Sequence, residues 1–254
     1  MTKFIGIIPA RYASTRFPGK PLAMLGGKTV IERVYEQVSS VLSTPLRGEG
    51  SVWVATDDDR IFKAVESFGG RAVMTRADHK SGTDRIEEAA EKIGTEADVI
   101  INVQGDEPFI QPQQLETVCR LFDDGRTQIA TLGKRFETME AVDNPNSPKI
   151  VTDMEGYALY FSRSVIPFVR GTDQGEWLAQ FPFLKHIGLY AYRRDVLAEI
   201  TQLPQSPLEL AESLEQLRWL QHGYRIRVGL TDVETIGIDT PEDLARAEAA
   251  LAGR

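Results

Sequence analysis

The apolar residues of this chain fall into two alternating patterns. Short continuous runs at residues 4–8, 52–55 and 99–103 read as strands covered on both faces. Between them lie stretches with helical spacing. Apolar side chains at positions 30, 31, 34, 38, 41 and 42 form one stripe, and residues 61–68, 84–93 and 113–122 read as further helices. A short strand is expected at 71–74. This alternation predicts an α/β fold built on a doubly wound, mostly parallel sheet. After about residue 125 the pattern changes. Strands are expected at 129–132, 149–151, 158–161 and 187–192, with loops rich in proline, glycine and aspartate between them, as in a smaller mixed sheet. Helices at 208–220 and 241–251 and strands at 226–230 and 235–238 complete the chain. With no repeat and no low-complexity linker, the expectation is one domain over 1–254, in which approximately 129–195 forms the smaller sheet region.

Composition narrows the functional classes. The 254 residues are 42% apolar and 26% charged, which is ordinary for a globular domain. Lysine and arginine number 29 against 37 acids, a net charge of −8. An acidic chain is a poor partner for nucleic acid or an anionic membrane, so neither is expected. The single cysteine, Cys119, cannot close an intrachain disulfide and is expected as a buried thiol. The opening Met1-Thr2-Lys3 runs into a strand without a signal-peptide pattern, and no apolar run approaches the ~20 residues that span a bilayer, so a cytoplasmic setting is expected.

Against that acidic background one loop is basic. After the first strand come Arg11, Arg16 and Lys20, with Gly19 and small residues between them and no intervening acid. Open α/β sheets bind ligands at the carboxyl ends of their strands. A triphosphate, with about four negative charges, calls for a few fixed cations and a divalent metal. The alternative is a solvated basic loop. The loop is not a Walker A sequence, since Gly27-Lys28-Thr29 has the right ending but Leu22 stands where the leading glycine belongs. It also lacks the glycine fingerprint of dinucleotide-binding folds, so side-chain cations must hold the phosphates.

Two aspartates follow strand ends. Asp106 comes after strand 99–103, in Gln104-Gly105-Asp106-Glu107-Pro108, and Asp239 after strand 235–238. Asp239 stands just ahead of Thr240-Pro241-Glu242-Asp243, a helix start with Thr240 as cap, which leaves its carboxylate unclaimed by the helix. Two such carboxylates make a plausible Mg2+ site, because magnesium takes oxygen ligands and keeps phosphates and water in its other positions. Each alone reads as structural; their pairing with the basic loop favours the metal. Asp57-Asp58-Asp59 matches the DxD pattern of glycosyltransferases, yet acids at a helix start also favour the positive end of its dipole.

These stretches resemble the 3-deoxy-manno-octulosonate (Kdo) cytidylyltransferases, also called CMP-Kdo synthetases. The resemblance spans nearly the whole chain. It rests on Ile8-Pro-Ala-Arg-Tyr-Ala-Ser-Thr-Arg16, Pro18-Gly-Lys-Pro21, Thr75-Arg-Ala-Asp-His79, Ser81-Gly-Thr-Asp-Arg85, Asn102-Val-Gln-Gly-Asp-Glu-Pro108 and Tyr157-Ala-Leu-Tyr-Phe-Ser-Arg163. Ser206-Pro-Leu-Glu209, Leu214-Glu-Gln-Leu-Arg218 and Gly237-Ile-Asp-Thr-Pro-Glu-Asp-Leu244 continue it. It implies a fold of the nucleotide-diphospho-sugar transferase type with an inserted dimerisation sheet. The implied reaction joins CTP to Kdo, releases pyrophosphate and makes CMP-Kdo for lipopolysaccharide. By resemblance Arg11, Arg16 and Lys20 neutralise the triphosphate, Asp106 and Asp239 hold magnesium, and Arg76, Ser81 and Gly82 lie near cytosine and ribose. Gln104, Arg163, His186, Tyr190, Glu215 and Gln216 line the sugar-acid pocket, with Gln104 also beside the nucleotide. Lys20, Arg11, Asp106 and Asp239 carry the catalysis, and the protein is a homodimer.

Three places depart from the family pattern. Phe17 replaces a more usual leucine, Val233-Glu234-Thr235 lacks an extra glycine, and residues 171–182 match nothing recognisable. In-line attack on the α-phosphorus needs positioning and charge neutralisation rather than a covalent intermediate. The chain accordingly has no GxSxG elbow, and His79, His186 and His222 are too scattered for a zinc site. His222, before Gly223, reads as a helix cap. Other readings are a cytidylyltransferase for 8-amino-Kdo or sialic acid, a glycosyltransferase using Asp57 and Asp59, and an inactive nucleotide-binding regulator.

Overall fold

The structure is a computed structural model that describes residues 2–42, 52–233 and 237–252. It divides into two compact units, Met1–Glu116 with Thr235–Arg254, and Thr117–Glu234. Strand β1 (Phe4–Ala10) leads through a single 3-10 turn at Lys20–Leu22 to a hairpin of β2 (Met24–Leu25) and β3 (Lys28–Thr29), then to helix α1 (Val30–Leu42). Next come β4 (Val52–Thr56), α2 (Asp59–Ser67), β5 (Ala72–Met74), α3 (Gly82–Ile93), β6 (Val99–Asn102) and α4 (Pro112–Leu121).

The first unit's strands run in the order β6-β1-β4-β5, all parallel, with Phe4 opposite Val99 and Gly6 opposite Val52. Every residue of β1 is buried, as its unbroken apolar run requires. The buried face of α1 consists of Val30, Ile31, Val34, Val38, Val41 and Leu42, the stripe expected from spacing. The chain builds outward from β1 through β4 and β5, then returns to lay β6 on the other side of β1. That reversal is a topological switch point, and the crevice beyond the carboxyl ends of β1 and β6 is where such sheets take ligands.

The second unit contains β7 (Ile129–Arg135), α5 (Met139–Asp143), β8 (Lys149–Thr152), β9 (Ala158–Ser162), α6 (Trp177–Gln180), β10 (Leu184–Arg193), α7 (Arg194–Ile200), α8 (Pro207–Glu212), α9 (Gln216–Gln221) and β11 (Ile226–Leu230). β7 lies parallel to β11 and antiparallel to β10, β10 is antiparallel to β8, and β8 to β9. Mixed pairing follows residue 125, and β11, beyond the expected 129–195 region, takes part in it. A bulge between Ile187 and Tyr190 shifts the β10 register against β7. In the 171–182 stretch, Trp177 is the inward anchor, packing with Phe136, Val142 and Phe183. Cys119 is buried in α4. The final helix, α10 (Pro241–Ala252), belongs to the first unit.

Two expected elements differ. The single helix at 208–220 is two, interrupted at Ser213, whose φ of 50° is left-handed. Glu209 and Arg218 explain the break: they form a buried ion pair with contacts of 2.8 and 2.6 Å. In one continuous helix, nine residues apart, they would stand on opposite faces and ~13 Å apart along the axis. The strand expected at 235–238 lies partly outside the described residues; Gly237 and Ile238 themselves are not strand, and the Ile238 N–H instead donates to the Asp106 carbonyl at 2.8 Å.

Gly105 follows β6, where the chain passes so close to β1 that an added Cβ would lie 2.9 Å from the Pro9 carbonyl oxygen. Neither backbone can yield without opening the crevice. Gly105→Ala is therefore expected to cost about 1–3 kcal/mol and lower Tm by roughly 3–10 °C in a thermal melt, whereas an unchanged Tm would mean that the ends of β1 and β6 separate freely.

Candidate active site

The basic loop is closed by its own backbone. The Gly19 N–H donates to the Tyr12 carbonyl at 2.9 Å, which draws the chain from Arg11 to Lys20 into one turn. Gly19 has φ +73°, and a Cβ there would press on the Tyr12 ring at 3.0 Å, so glycine is required twice over. Lys20 then opens the 3-10 turn with its side chain directed into the crevice, and Phe17 packs on a cluster containing Leu25, Val30, Phe109, Ile238 and Ala247. The same cluster holds both acidic arms, since Phe109 lies three residues after Asp106 and Ile238 directly precedes Asp239. The Ile238–Asp106 main-chain bond ties the arms together.

The two carboxylates consequently meet on one ammonium. Lys20 Nζ donates to Asp106 Oδ2 in a short contact and to Asp239 Oδ1 at 3.0 Å, while Arg16 Nη2 lies 3.2 Å from Asp239 Oδ2. Burial alone would lower the pKa of Lys20, but the two aspartates outweigh it and hold it above its ordinary value, so the side chain stays charged. Asp239 is unclaimed by its helix, as expected. The Asp243 carboxylate accepts the N–H groups of Asp239 and Thr240 at 3.0 and 2.9 Å, and Thr240 Oγ1 caps Asp243.

Around this centre lies a cavity of about 280 Å3. Arg11, Arg16, Lys20, Ser81, Gly82, Gln104, Asp106 and Asp239 all line it, eight residues chosen from sequence. Arg76 does not. Its exposed guanidinium pairs with Asp78 at 3.0 Å. His79, Lys80 and Arg85 line the cavity without having been singled out, although all three lie in or beside recognised motifs. Arg85 is fixed by Asp57 at 2.9 Å and Thr75 Oγ1 at 2.7 Å, while Asp58 caps α2 and Asp59 begins it. The acidic triplet is thus engaged structurally, as its place at a helix start suggests.

The described residues contain no group of three or more histidine, cysteine or acidic side chains able to hold a metal. Asp106 and Asp239 nonetheless suit magnesium. Both are hard oxygen donors within reach of a single cation, as Lys20 demonstrates, and Mg2+ takes one or two carboxylates and completes its shell with phosphate and water.

The other sequence-derived residues lie in the second unit. His186 and Tyr190 flank the β10 bulge with ring centroids 5.3 Å apart, and Tyr190 meets Trp219 edge-on, also at 5.3 Å. Gln216 shares a face of α9 with Trp219, three residues on. His186 Nε2 and Gln216 Nε2 are shut away from solvent with no hydrogen-bond partner among the described residues, while the buried Tyr190 hydroxyl lies beside Thr131. Burial pushes His186 down to about 4, so its ring is neutral at physiological pH and offers hydrogen bonds rather than charge. Arg163 is engaged elsewhere. Its guanidinium donates to the carbonyls of Glu212, Pro145 and Ser213 at 2.6, 3.0 and 3.3 Å, clamping that corner together. Glu215 lies 3.7 Å from Arg218, and His222 Nδ1 is 2.8 Å from the Arg218 carbonyl at the end of α9, the capping role expected of it.

Comparison with known proteins agrees with this chemistry. A profile of the cytidylyltransferase family matches residues 5–226. The chain is 63% identical to a 3-deoxy-manno-octulosonate cytidylyltransferase of Bacteroides thetaiotaomicron, covering 99% of both chains. It is 62% identical to its counterpart in Parabacteroides distasonis over the full length of both. Among solved structures, a CMP:2-keto-3-deoxy-manno-octonic acid synthetase complexed with CTP superposes with a TM-score of 0.90 at 45% identity, covering 99% of each chain. A 4-diphosphocytidyl-2C-methyl-D-erythritol synthase from Anaerococcus prevotii, 13% identical with a TM-score of 0.62 over 98% of this chain and 99% of that one, shares the fold. With the motifs, the switch-point cavity and these full-length relatives in agreement, the chain belongs to the 3-deoxy-manno-octulosonate cytidylyltransferase family.

Proposed function

We propose that this chain transfers CMP from CTP to the anomeric hydroxyl of Kdo, releasing pyrophosphate and forming CMP-Kdo for lipopolysaccharide assembly. The observation that carries the reading is the convergence of Lys20, Asp106, Asp239 and Arg16 in a cavity at the sheet's switch point. Its high-identity relatives supply the substrate class. Arg11, Arg16 and Lys20 hold the triphosphate and offset its charge, which is the main demand of phosphoryl-type transfer. Asp106 and Asp239 would hold magnesium, which when bound draws charge off the phosphate oxygens as the α-phosphorus is attacked. Ser81, Gly82 and Gln104 form the wall against which the nucleoside is oriented.

Arg16 and Lys20 pair with the carboxylates in the free protein and turn to phosphate when substrate enters. Cations and anions thereby exchange partners without any charge being left alone. In the second unit, the neutral ring of His186 with the Tyr190 hydroxyl and the Gln216 amide supplies hydrogen bonds for a hydroxyl-rich acceptor. The same reading includes a cytoplasmic homodimer joined through the smaller sheet region, where Leu159 and Phe168 are 62% and 74% exposed. Among the described residues no helix is long and apolar enough to cross a membrane.

Pyrophosphate release measured with CTP, UTP and ATP against Kdo, its 8-amino analogue and sialic acid is expected to be greatest with CTP and Kdo; a preference for UTP or for sialic acid sinks the assignment. EDTA is expected to stop turnover and added magnesium to restore it. Asp106→Ala is expected to lower kcat at least about 100-fold while the far-UV circular dichroism stays unchanged; wild-type kcat in that variant would remove the metal role. Because His186 takes up its proton only as pH falls through about 4, the KM for Kdo should stay flat from about pH 8 down to pH 5, and a break near 6.5 that disappears in His186→Gln would show a histidine titrating normally.

A further inference from the structure

One wall of the cavity is a loop, and one face of a helix holds that loop. Arg76, Ala77, Asp78 and Lys80 are exposed, whereas the side chain of His79 between them is only 6% exposed. His79, Lys80, Ser81 and Gly82 supply cavity surface. An exposed stretch of this kind has no apolar core of its own to define its path, so its polar attachments decide it.

The attachments come from α3 at positions 85, 88 and 92, spaced by three and four residues and so on a single helical face. Arg85 Nη1 donates to Thr75 Oγ1 at 2.7 Å, and Lys92 Nζ donates to the Met74 carbonyl at 2.9 Å. Between them Glu88 does most. Its carboxylate accepts the Arg76 N–H at 3.1 Å, makes a short hydrogen bond with His79 Nε2 and pairs with Lys92 at 2.8 Å. Burial works against its ionisation, yet Lys92, the Arg76 N–H and His79 prevail and hold the Glu88 carboxyl down to about 2. Glu88 itself does not line the cavity.

We infer that Glu88 is a positioning residue for the nucleotide. By fastening Arg76 and His79 to α3, it sets the conformation of the loop against which CTP binds. This rests on the proposed use of CTP and extends it to a residue that touches no substrate. Glu88 acts on nucleotide binding alone, because the charged centre at Lys20, Asp106 and Asp239 is held by other contacts.

Steady-state kinetics on Glu88→Ala and Glu88→Gln tests this. The amide of the glutamine variant keeps an acceptor for the Arg76 N–H, so it should rescue part of the loss. In Glu88→Ala the KM for CTP is expected to rise about tenfold, with kcat at saturating CTP within about twofold of wild type and the KM for Kdo unmoved. A folded Glu88→Ala protein whose KM for CTP stays within about twofold, or whose kcat falls with KM unchanged, overturns the inference. If that variant fails to fold, Glu88→Gln and His79→Ala decide: a raised KM for CTP in both supports the role, and an unchanged KM in either rejects it. Wild-type protein unable to turn over CTP would remove the proposed function and this role together; wild-type turnover with an insensitive Glu88 removes only the latter.

Discussion

A single ammonium group between two carboxylates is the constraint around which the catalytic unit is arranged. Asp106 and Asp239 are 133 residues apart in the chain, and like charges brought that close repel unless a cation lies between them. Lys20 supplies it, with Arg16 adding a second cation on Asp239. Removing two charges from water is expensive, and attraction offsets that only in good geometry. The geometry is secured by apolar and main-chain means. Phe109 and Ile238 share one buried cluster, Ile238 bonds to Asp106 through the backbone, and Gly19 turns the loop so that Lys20 enters the crevice. Hydrophobic packing thus determines where the charges meet, and the charges determine what can bind.

Much of this was legible in the sequence because it is periodic or local. The α1 stripe and the strands at β1, β4 and β6 follow from the spacing of apolar residues, and the α10 cap from Thr240 and Asp243. The charged centre was legible for a different reason. Strand ends in a parallel sheet all face one edge, so residues following β1 and β6 had to converge even though the distance between them in sequence is large. Asp239 joins them by another route, since Gly237 and Ile238 form no strand and Ile238 bonds to the Asp106 carbonyl instead. What escaped is short, irregular or tertiary, the seven-residue helix α7 included. β2 and β3 are two residues each, too short for any period to register. The break at Ser213 follows from a pairing of Glu209 with Arg218 that no window of helical pattern contains. Glu88 lies within the helix expected at 84–93 but was not singled out, since its partners lie in a loop whose path only the fold defines.

Arg163 and Arg76 illustrate a related limit. A guanidinium can grip a ligand carboxylate or gather backbone carbonyls, and its residue type is the same in both cases. In the structure Arg163 binds three carbonyls and Arg76 leans on Asp78. Motif membership places such residues near a site, whereas only hydrogen-bond partners separate those that face a ligand from those that support the surface behind it.

In the proposed function the two binding sites would use polarity differently, each according to its ligand. In the nucleotide unit Lys20, Arg16, Asp106 and Asp239 are paired with one another, and a charge as sheltered as Lys20 would be costly if left alone. In the proposed function, binding there would exchange one set of ionic partners for another. In the second unit the groups at issue are neutral: an imidazole held uncharged by burial and an amide, each lacking a partner among the described residues, beside the phenol of Tyr190. Leaving such a group unsatisfied costs about 1–3 kcal/mol, tolerable in a folded protein and recovered when a hydroxyl-bearing ligand arrives. It also sharpens discrimination, since a ligand without the matching hydroxyl leaves that penalty in place, whereas an apolar pocket rejects analogues only weakly. Charge exchange suits a triphosphate common to many reactions, and unsatisfied neutral groups suit the choice of one sugar acid among several.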